Sequence, residues 1–272
     1  MDRLPNYLMS SLSDDAVYLN NGVWATKSNR VDGTYKLLYT YRLNHDFGVN
    51  DDTPHFVDWS LIPVNIVGSI NEIEFATDVR AYNGTPLVIP VPLAQNIQTA
   101  IISGTSDTSL RGITAILQRC PITTLIVNRP IMNVESHLFE RCLYTHIELP
   151  LSIITISRSA FWDCPNLVSI TGLDNVVDVH DNAFNTCTAL PVINLPSAEV
   201  LGEHAFVNCA NLGRVICPLV YDIRKGCFHH CRSLTEIDVP HVSNIGSECF
   251  MDTAITRIEL PEILMIGSYA FY

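Results

Sequence analysis

The sequence predicts a solenoid of stacked parallel strands and short helical turns, with a repeat of about 22 residues, preceded by a small β-rich domain. Six cysteines recur at intervals of 22 or 23 residues, and a fixed period of this length is typical of repeat folds. They are Cys120, Cys142, Cys164, Cys187, Cys209 and Cys231. A leucine or phenylalanine stands three residues before each cysteine, and the series continues beyond the last one: Leu117, Phe139, Phe161, Phe184, Phe206, Phe228, Phe250 and Phe271.

The composition is that of a chain with a large buried core. Of its 272 residues, 47% are hydrophobic and 16% are charged, whereas disordered chains are poor in apolar residues and rich in charge. The net charge of −12 argues against binding to nucleic acid, which needs clustered Lys and Arg. No apolar run approaches the roughly 18 residues that would span a bilayer, and the first residues do not resemble a secretory signal.

Residues 1–105 lack the repeat, and we predict that they form a β-rich domain. Runs typical of strands are 23–25, 35–43, 56–67, 73–79 and 87–91. A turn is expected near Asp32-Gly33, and 94–102 is compatible with a short helix or a strand. A separate domain that acts as an anchor is favoured over an enlarged cap of the solenoid.

In residues 106–272, each repeat combines a short strand with a turn. The strand is an apolar-x-apolar segment, whose alternation directs two side chains inward. The proline after it ends the strand because it has no N–H for the ladder. With their prolines, these segments are 147–150, 193–196, 215–218, 237–240 and 258–261. The Phe-x-x-Cys spacing predicts that both side chains share one face of a helical turn, and this face is buried only if the repeats stack.

The other three cysteines occupy the same columns, a column being the equivalent positions of successive repeats. Cys227 and Cys249 replace the alanine before phenylalanine, and Cys217 replaces the second leucine of the strand. Free cysteine behaves as a small hydrophobe, and side chains that point in parallel fit disulfide geometry poorly. We therefore predict reduced, structural cysteines, which favours synthesis in the cytoplasm, including synthesis for an assembled particle or surface complex.

One stretch, Cys227-Phe-His-His-Cys231, has the composition of a metal site. Both cysteines already belong to inward columns, which leaves His229 and His230, whereas zinc needs four converging ligands. The common nucleotide-binding, hydrolase and zinc-protease motifs do not occur. We therefore predict no metal site, no cofactor and no catalytic residue, and an enzyme with its site in residues 1–105 is the weakest functional hypothesis.

The repeated pattern Ile-Gly-x-x-Ala-Phe-x-x-Cys-x-x-Leu-x-x-Ile-x-Leu-Pro resembles the BspA-like leucine-rich repeats, also called the Treponema pallidum type. Residues 201–215 match it well, and 245–250 and 266–271 repeat its first half. The resemblance covers residues from about 108 to 272, with departures at Leu117 and Thr253. It implies a leucine-rich-repeat solenoid of about seven units, the last one incomplete. It also implies protein recognition, often as surface adhesion in bacteria and protists, and no shared catalytic residues.

The outward positions of the strands are the predicted partner-binding face, because solenoids bind through such extended sheet surfaces. The candidate residues are His146, Glu148, Val192, Asn194, Arg214, Ile216, Glu236 and Asp238. The expected partner is a protein, including one on a glycan-bearing surface. A merely solvated face is the alternative, although Val192 and Ile216 are apolar.

The sequence stops within a repeat, at Ala270-Phe271-Tyr272. Solenoids need a polar terminal cap, so Ile266, Phe271 and Tyr272 are predicted to dock on a neighbouring subunit unless the chain is truncated. This docking would give a head-to-tail or partner-capped assembly. A structural component of a multi-subunit assembly, such as a virion or a surface complex, is therefore the alternative to recognition and adhesion.

Overall fold

The computed structural model describes residues 16–18, 23–28, 30, 33–39, 62, 64–75, 95–103, 110 and 121–272. The chain forms two compact units, Met1–Arg129 and Pro130–Tyr272, so the predicted boundary after residue 105 falls within the first unit. Within these described ranges, no helix has the length and the apolar character needed to cross a membrane.

The described residues of the first unit contain six strands and one helical turn. Their bounds are β1 Val17–Tyr18, β2 Val23–Lys27, β3 Tyr35–Tyr39, α1 Val64–Val67, β4 Ile70–Phe75, β5 Thr99–Ser103 and β6 Thr124–Asn128. Strands β1, β2 and β3 pair antiparallel, and β3 to β6 pair in parallel. Gly33, with a positive φ of 77°, lies in the connection from β2 to β3, where the sequence predicts a turn. The described part of this unit is thus rich in strands.

Two segments of the first unit differ from the simplest expectation. The strand predicted over 56–67 is wrong at its end, because Val64–Val67 forms α1. Pro63 precedes α1 and Gly68 follows it, and these residues favour the start and the end of a helical turn. Segment 94–102 contains most of β5, whose pairing with β4 and β6 satisfies its backbone groups on both sides. The predicted strand 87–91 lies outside the described residues.

The first unit also buries charged side chains on its strands. Lys36 of β3 is 1% exposed, and its Nζ lies 2.7 Å from Oε2 of Glu74. Ser103 Oγ donates to the other oxygen of Glu74 at 2.7 Å, and Ser28 Oγ donates to Glu72 at 2.9 Å. Buried charges need such partners because they lose the hydration that they have in the unfolded chain.

The second unit is a solenoid built from two alternating series of short strands. The first series comprises β7 (Asn133–Val134), β9 (Thr155–Ile156), β11 (Asp178–Val179), β13 (Val200–Leu201), β15 (Asp222–Ile223), β17 (Asn244–Ile245) and β18 (Met265–Ile266). The second comprises β8 (His146–Glu148), β10 (Ser169–Thr171), β12 (Val192–Asn194), β14 (Arg214–Ile216) and β16 (Glu236–Asp238). Pairing within each series is parallel. The predicted solenoid of stacked parallel strands is confirmed.

The phenylalanine column forms the centre of the solenoid core. From Phe139 to Phe271, the rings of successive repeats stack with centroids 5.0 to 5.4 Å apart and planes inclined by 4° to 17°. This distance slightly exceeds the spacing of about 4.8 Å between neighbouring strands, as expected for rings that stack with an offset. The rings from Phe139 to Phe250 are buried, as predicted, whereas Leu117 lies outside the described residues.

The segment that carries phenylalanine and cysteine is a run of turns, so the predicted helical turn is wrong. The amides of Ser159, Phe161 and Asp163 donate to carbonyls of the next repeat at 2.8 to 3.0 Å. Those of Ala160 and Trp162 donate to carbonyls three residues earlier. Ser159 and Asp163 have φ of +54° and +57°, which a right-handed helix does not allow. Stacking prevails because it satisfies amides that so short a helix would leave without partners.

The cysteine column donates hydrogen bonds in addition to filling space. In four of these cysteines, Sγ donates to the backbone carbonyl of the phenylalanine in the preceding repeat at 3.0 to 3.1 Å. They are Cys164, Cys187, Cys209 and Cys231. The eight described cysteines are free, and Cys120 lies outside the described residues. Burial raises the pKa of Cys209, Cys227 and Cys249 well above the usual thiol value, so these thiols stay protonated at neutral pH.

Candidate partner-binding face

The second series of strands presents alternate residues to the outside. The middle residues Ile147, Ile193 and Val215 of β8, β12 and β14 are buried, and their neighbours in the strand point outward because side chains alternate along a strand. Parallel register places equivalent outward positions side by side, so Arg214 lies between Val192 and Glu236. We call the outward positions of this series the strand face, which consists of His146, Glu148, Ser169, Thr171, Val192, Asn194, Arg214, Ile216, Glu236 and Asp238.

The structure places all eight predicted binding residues on this strand face. Seven of them are exposed, and Ile216 is half-buried. Val192 is 46% exposed, which is unusual for a valine in a strand, since valine is among the residues most often buried. The predicted positions are therefore accessible on the surface of the second unit.

The strand face consists of two ladders, β8–β10 and β12–β14–β16. The repeat from Cys164 to Cys187 is one residue longer than the repeats on either side, and Gly172 follows β10 directly. Its φ is +83°, and a Cβ at this position would lie 1.9 Å from the carbonyl oxygen of Leu149. Only glycine fits there. Strand β10 does not pair with β12, so His146 and Glu148 lie in a different ladder from the six predicted residues between 192 and 238.

The charges of the strand face are solvated and uneven. Arg214 Nε lies 3.3 Å from Glu236 Oε2, and the two side chains are 57% and 68% exposed. Such an exposed pair contributes at most about 1 kcal/mol to stability, so the fold does not depend on it. The strand face carries three carboxylates, those of Glu148, Glu236 and Asp238, and one guanidinium, that of Arg214. Its formal charge is therefore −2 with histidine neutral.

The strand predicted at 258–260 does not form. Its repeat has Thr253 and Thr256 in the cysteine and leucine columns and is one residue shorter than most. The segment therefore lacks two apolar side chains that anchor the equivalent strands. Arg257 and Glu259 still form an exposed pair at 2.9 Å, outside the ladders of the strand face.

The predicted docking residues lie in the last turn. Ile266 belongs to β18, which pairs with β17 of the first series, and Phe271 stacks on Phe250 at 5.2 Å. Ile266, Phe271 and Tyr272 are all exposed. They are on a different part of the solenoid from the strand face, and their docking on a neighbour stays a prediction.

The structure also adds a third side chain, Asp252, to His229 and His230, the two histidines for which the sequence predicts no metal site. Of the described residues, His229, His230 and Asp252 form the one group of three side chains able to hold a metal ion. Asp252 is one repeat beyond His230 in the same column. The repeat period could have located this neighbour, but a search for ligands close in sequence does not.

Comparison with known proteins identifies the repeat. A model of the BspA type leucine rich repeat region matches in six copies, over residues 114–219 and 199–272, and these matches cover more than half of the chain. The chain belongs to the BspA-type leucine-rich-repeat family. Leucine-rich-repeat proteins are generally protein-binding or surface modules and are typically non-catalytic.

Three solved structures of leucine-rich-repeat proteins are similar to this BspA-type chain at low identity. The T. pallidum leucine rich repeat protein is 22% identical, over 54% of this chain and 86% of that chain, with a TM-score of 0.40. A leucine rich cell surface protein from Faecalibacterium prausnitzii is 18% identical, over 95% and 56%, with a TM-score of 0.43. A leucine-rich repeat protein from Bacteroides ovatus is 18% identical, over 92% and 61%, with a TM-score of 0.46.

The BspA-type chain therefore spans less than two thirds of the length of the Faecalibacterium and Bacteroides proteins. A comparison with curated protein sequences found no match.

Proposed function

We propose that the chain is a non-catalytic protein-binding module that recognises, or adheres to, an external protein through the strand face. The observation that carries this proposal is the regular parallel ladder with exposed side chains of varied chemistry. Neighbouring strands pair residue by residue from β12 to β16, and the residues below them are mostly buried. A rigid surface of this kind loses little conformational entropy when a partner binds.

The chemistry of the strand face favours a partner with basic or hydrogen-bonding groups. Glu236 and Asp238 are the first and last residues of β16 and are both exposed. Arg214 forms an ion pair with Glu236 and leaves Asp238 without one among the described residues. Val192 adds an exposed apolar side chain beside Arg214 in the ladder. The apolar side chain and the carboxylates together allow contact burial and electrostatic steering in one interface.

Charge reversal tests the assignment of this face. The partner is first captured from the native source and identified by mass spectrometry, and its affinity for the purified chain is then measured by calorimetry. We expect E236R to weaken binding at least about tenfold, because it sets a positive charge against the basic groups of the partner and like charges across an interface cost several kcal/mol. R214E should weaken binding less strongly, because it removes the guanidinium of the face and the ion pair that orients Glu236. The melting temperature should stay unchanged because both side chains are exposed.

Two further variants separate recognition from a general effect of charge. R224E reverses an arginine that directly follows β15 of the first series, is 51% exposed and pairs with Asp222 of that strand. It should leave the affinity unchanged. The double variant R214E/E236R restores the ion pair and the net charge, yet it should still bind weakly because the charges have exchanged places. Wild-type affinity in both single variants would remove the strand face from consideration.

A structural role in a multi-subunit assembly is the second candidate. It would use apolar side chains of the last described turn, namely those of Leu264, Ile266 and Tyr272. Light scattering with wild type and I266E distinguishes the two candidates. Assembly through this turn predicts a larger particle that I266E dissociates and that R214E leaves intact. Recognition through the strand face predicts no such particle, and a partner affinity that R214E lowers and I266E leaves unchanged.

A further inference from the structure

Two consecutive repeats place three ligand-bearing side chains next to one another. Nδ1 of His230 lies 2.8 Å from Oδ2 of Asp252, and the ring of His229 stacks on that of His230 with centroids 3.9 Å apart. One ligand atom from each of the three residues lies within 4.8 Å of the others. The cluster is independent of the strand face, because its residues lie in the turns that follow Phe228 and Phe250.

The backbone explains why Asp252 lies beside His230. Both residues have positive φ, 63° and 56°, as do the equivalent residues of earlier repeats such as Asn208. The amide of His230 donates to the carbonyl of Met251 at 3.0 Å, which fixes the register of the two turns. The neighbouring positions of the two side chains therefore follow from the stacking of repeats.

Two ring nitrogens of this cluster lack a hydrogen bond. Nε2 of His229 and Nδ1 of His230 are buried and have no hydrogen-bond partner, even though a carboxylate oxygen of Asp252 is close to the second. The exposed pair of His241 and Glu262 differs, since its nitrogen and oxygen form a hydrogen bond of 3.0 Å. A buried polar atom without a partner costs free energy, and a bound cation would remove this cost.

We propose that His229, His230 and Asp252 bind one divalent transition-metal ion of the Zn²⁺ class, with water completing its coordination. Two imidazole nitrogens and a carboxylate oxygen are ligands that such ions prefer. At metal–ligand distances of about 2.0–2.2 Å, the ligand atoms of a tetrahedral site are about 3.4 Å apart. The two rings are stacked, so they must rotate for their in-plane lone pairs to converge on one ion. His230 and Asp252, which are 37% and 47% exposed, have room for this movement.

The test is a titration of the tag-free, reduced full-length protein with Zn²⁺, followed by calorimetry, and with Co²⁺, followed by visible absorption. We expect one ion per chain. H229N, H230N and D252N should each weaken binding at least about tenfold, because even loss of an outer partner of a ligand costs 10–100-fold. Asparagine already occupies both columns, as Asn185 and Asn208, so these variants suit the fold. H241N is the matched control and should bind as the wild type does.

Each other outcome overturns the proposal. Equal affinity in D252N and wild type would show that the ion binds elsewhere. A thiolate charge-transfer band in the Co²⁺ spectrum would assign binding to the cysteines. Titrations that show no saturation at one ion per chain would leave a histidine–aspartate ion pair as the whole role of the cluster.

Discussion

Single residues of the solenoid combine packing with a backbone interaction. The thiol of Cys187 fills an inward position and donates to the carbonyl of Phe161 at 3.1 Å. Serine could donate the same hydrogen bond, but its hydroxyl is more polar than the thiol. Cys217 stands in the strand column instead, where burial, and then the charge of Asp238, raise its pKa to about 12. Its neutral form is therefore strongly favoured in the folded chain.

The raised pKa of Cys217 makes part of the stability depend on pH. The pKa is higher in the folded chain than the 9.0 of a free thiol, so the thiol ionises more easily in the unfolded chain. The folded chain therefore keeps its full stability below pH 9.0 and loses part of it as the pH rises toward 12. In this window the group lowers the free energy of unfolding by about 1.4 kcal/mol per pH unit. Urea unfolding from pH 8 to 10.5 should show C217V losing stability less steeply than wild type. Parallel curves would contradict this.

Gly172 is a residue that the local backbone requires. In G172A, the new Cβ would overlap the carbonyl of Leu149 at a positive φ, and we expect a loss of more than about 2 kcal/mol. Gly213 is the matched control, because a Cβ there would come no closer than 3.7 Å to its neighbours. G213A should change the free energy of unfolding by about 0.5 kcal/mol or less. Equal losses in the two variants would show that the backbone around Gly172 shifts to accommodate the new Cβ.

At the scale of elements, the sequence predicts which side chains point inward or outward better than it predicts the backbone conformation. The columns of Phe184 and Cys187 follow from period alone, and so do the outward positions of β12 and β14. The Phe-x-x-Cys spacing fits a helical turn and a stacked turn equally well, and only the hydrogen bonds to the next repeat decide between them. The strands of the first series have only two residues each, which is too few to show the alternation from which a strand is predicted.

The binding face was predictable for the same reason, and its interruption was not. Alternation around Ile193 and Val215 identifies the outward neighbours directly. The separation into two ladders lies at the repeat that is one residue longer than its neighbours, and the length of a repeat does not by itself reveal a loss of pairing. The cluster at His230 and Asp252 depends on contact between repeats, which a motif search within one repeat cannot find.

The phenylalanine stack is the element on which the core most depends. Phe206 is fully buried between Phe184 and Phe228, at 5.1 and 5.4 Å. We expect F206A to lower the free energy of unfolding by about 3–5 kcal/mol through lost burial and a cavity. F206L should cost less, since leucine occupies this column at residue 117 and refills most of the volume. Chemical unfolding monitored by circular dichroism measures both, and equal losses would argue for a specific aromatic requirement.

At the scale of the second unit, stability accumulates between neighbouring repeats. Each repeat exchanges backbone hydrogen bonds with the next one, as Phe184 does with Ala205 and Phe206 with Cys227, both at 2.8 Å. In such an array the stability is approximately the sum of terms within repeats and terms between neighbours. A segment without bonds to its neighbours should therefore open independently of the rest.

The segment Ala254–Leu260 tests this expectation, because none of its amides donates a backbone hydrogen bond to another described residue. Hydrogen–deuterium exchange followed by mass spectrometry should show rapid exchange there. Slow exchange is expected over 200–250, where amides bond across repeats and opening requires the stack to separate. The comparison is internal, so it needs no variant. Protection of 254–260 equal to that of 200–250 would mean that the strand expected from Ile258-Glu-Leu260 does pair in solution.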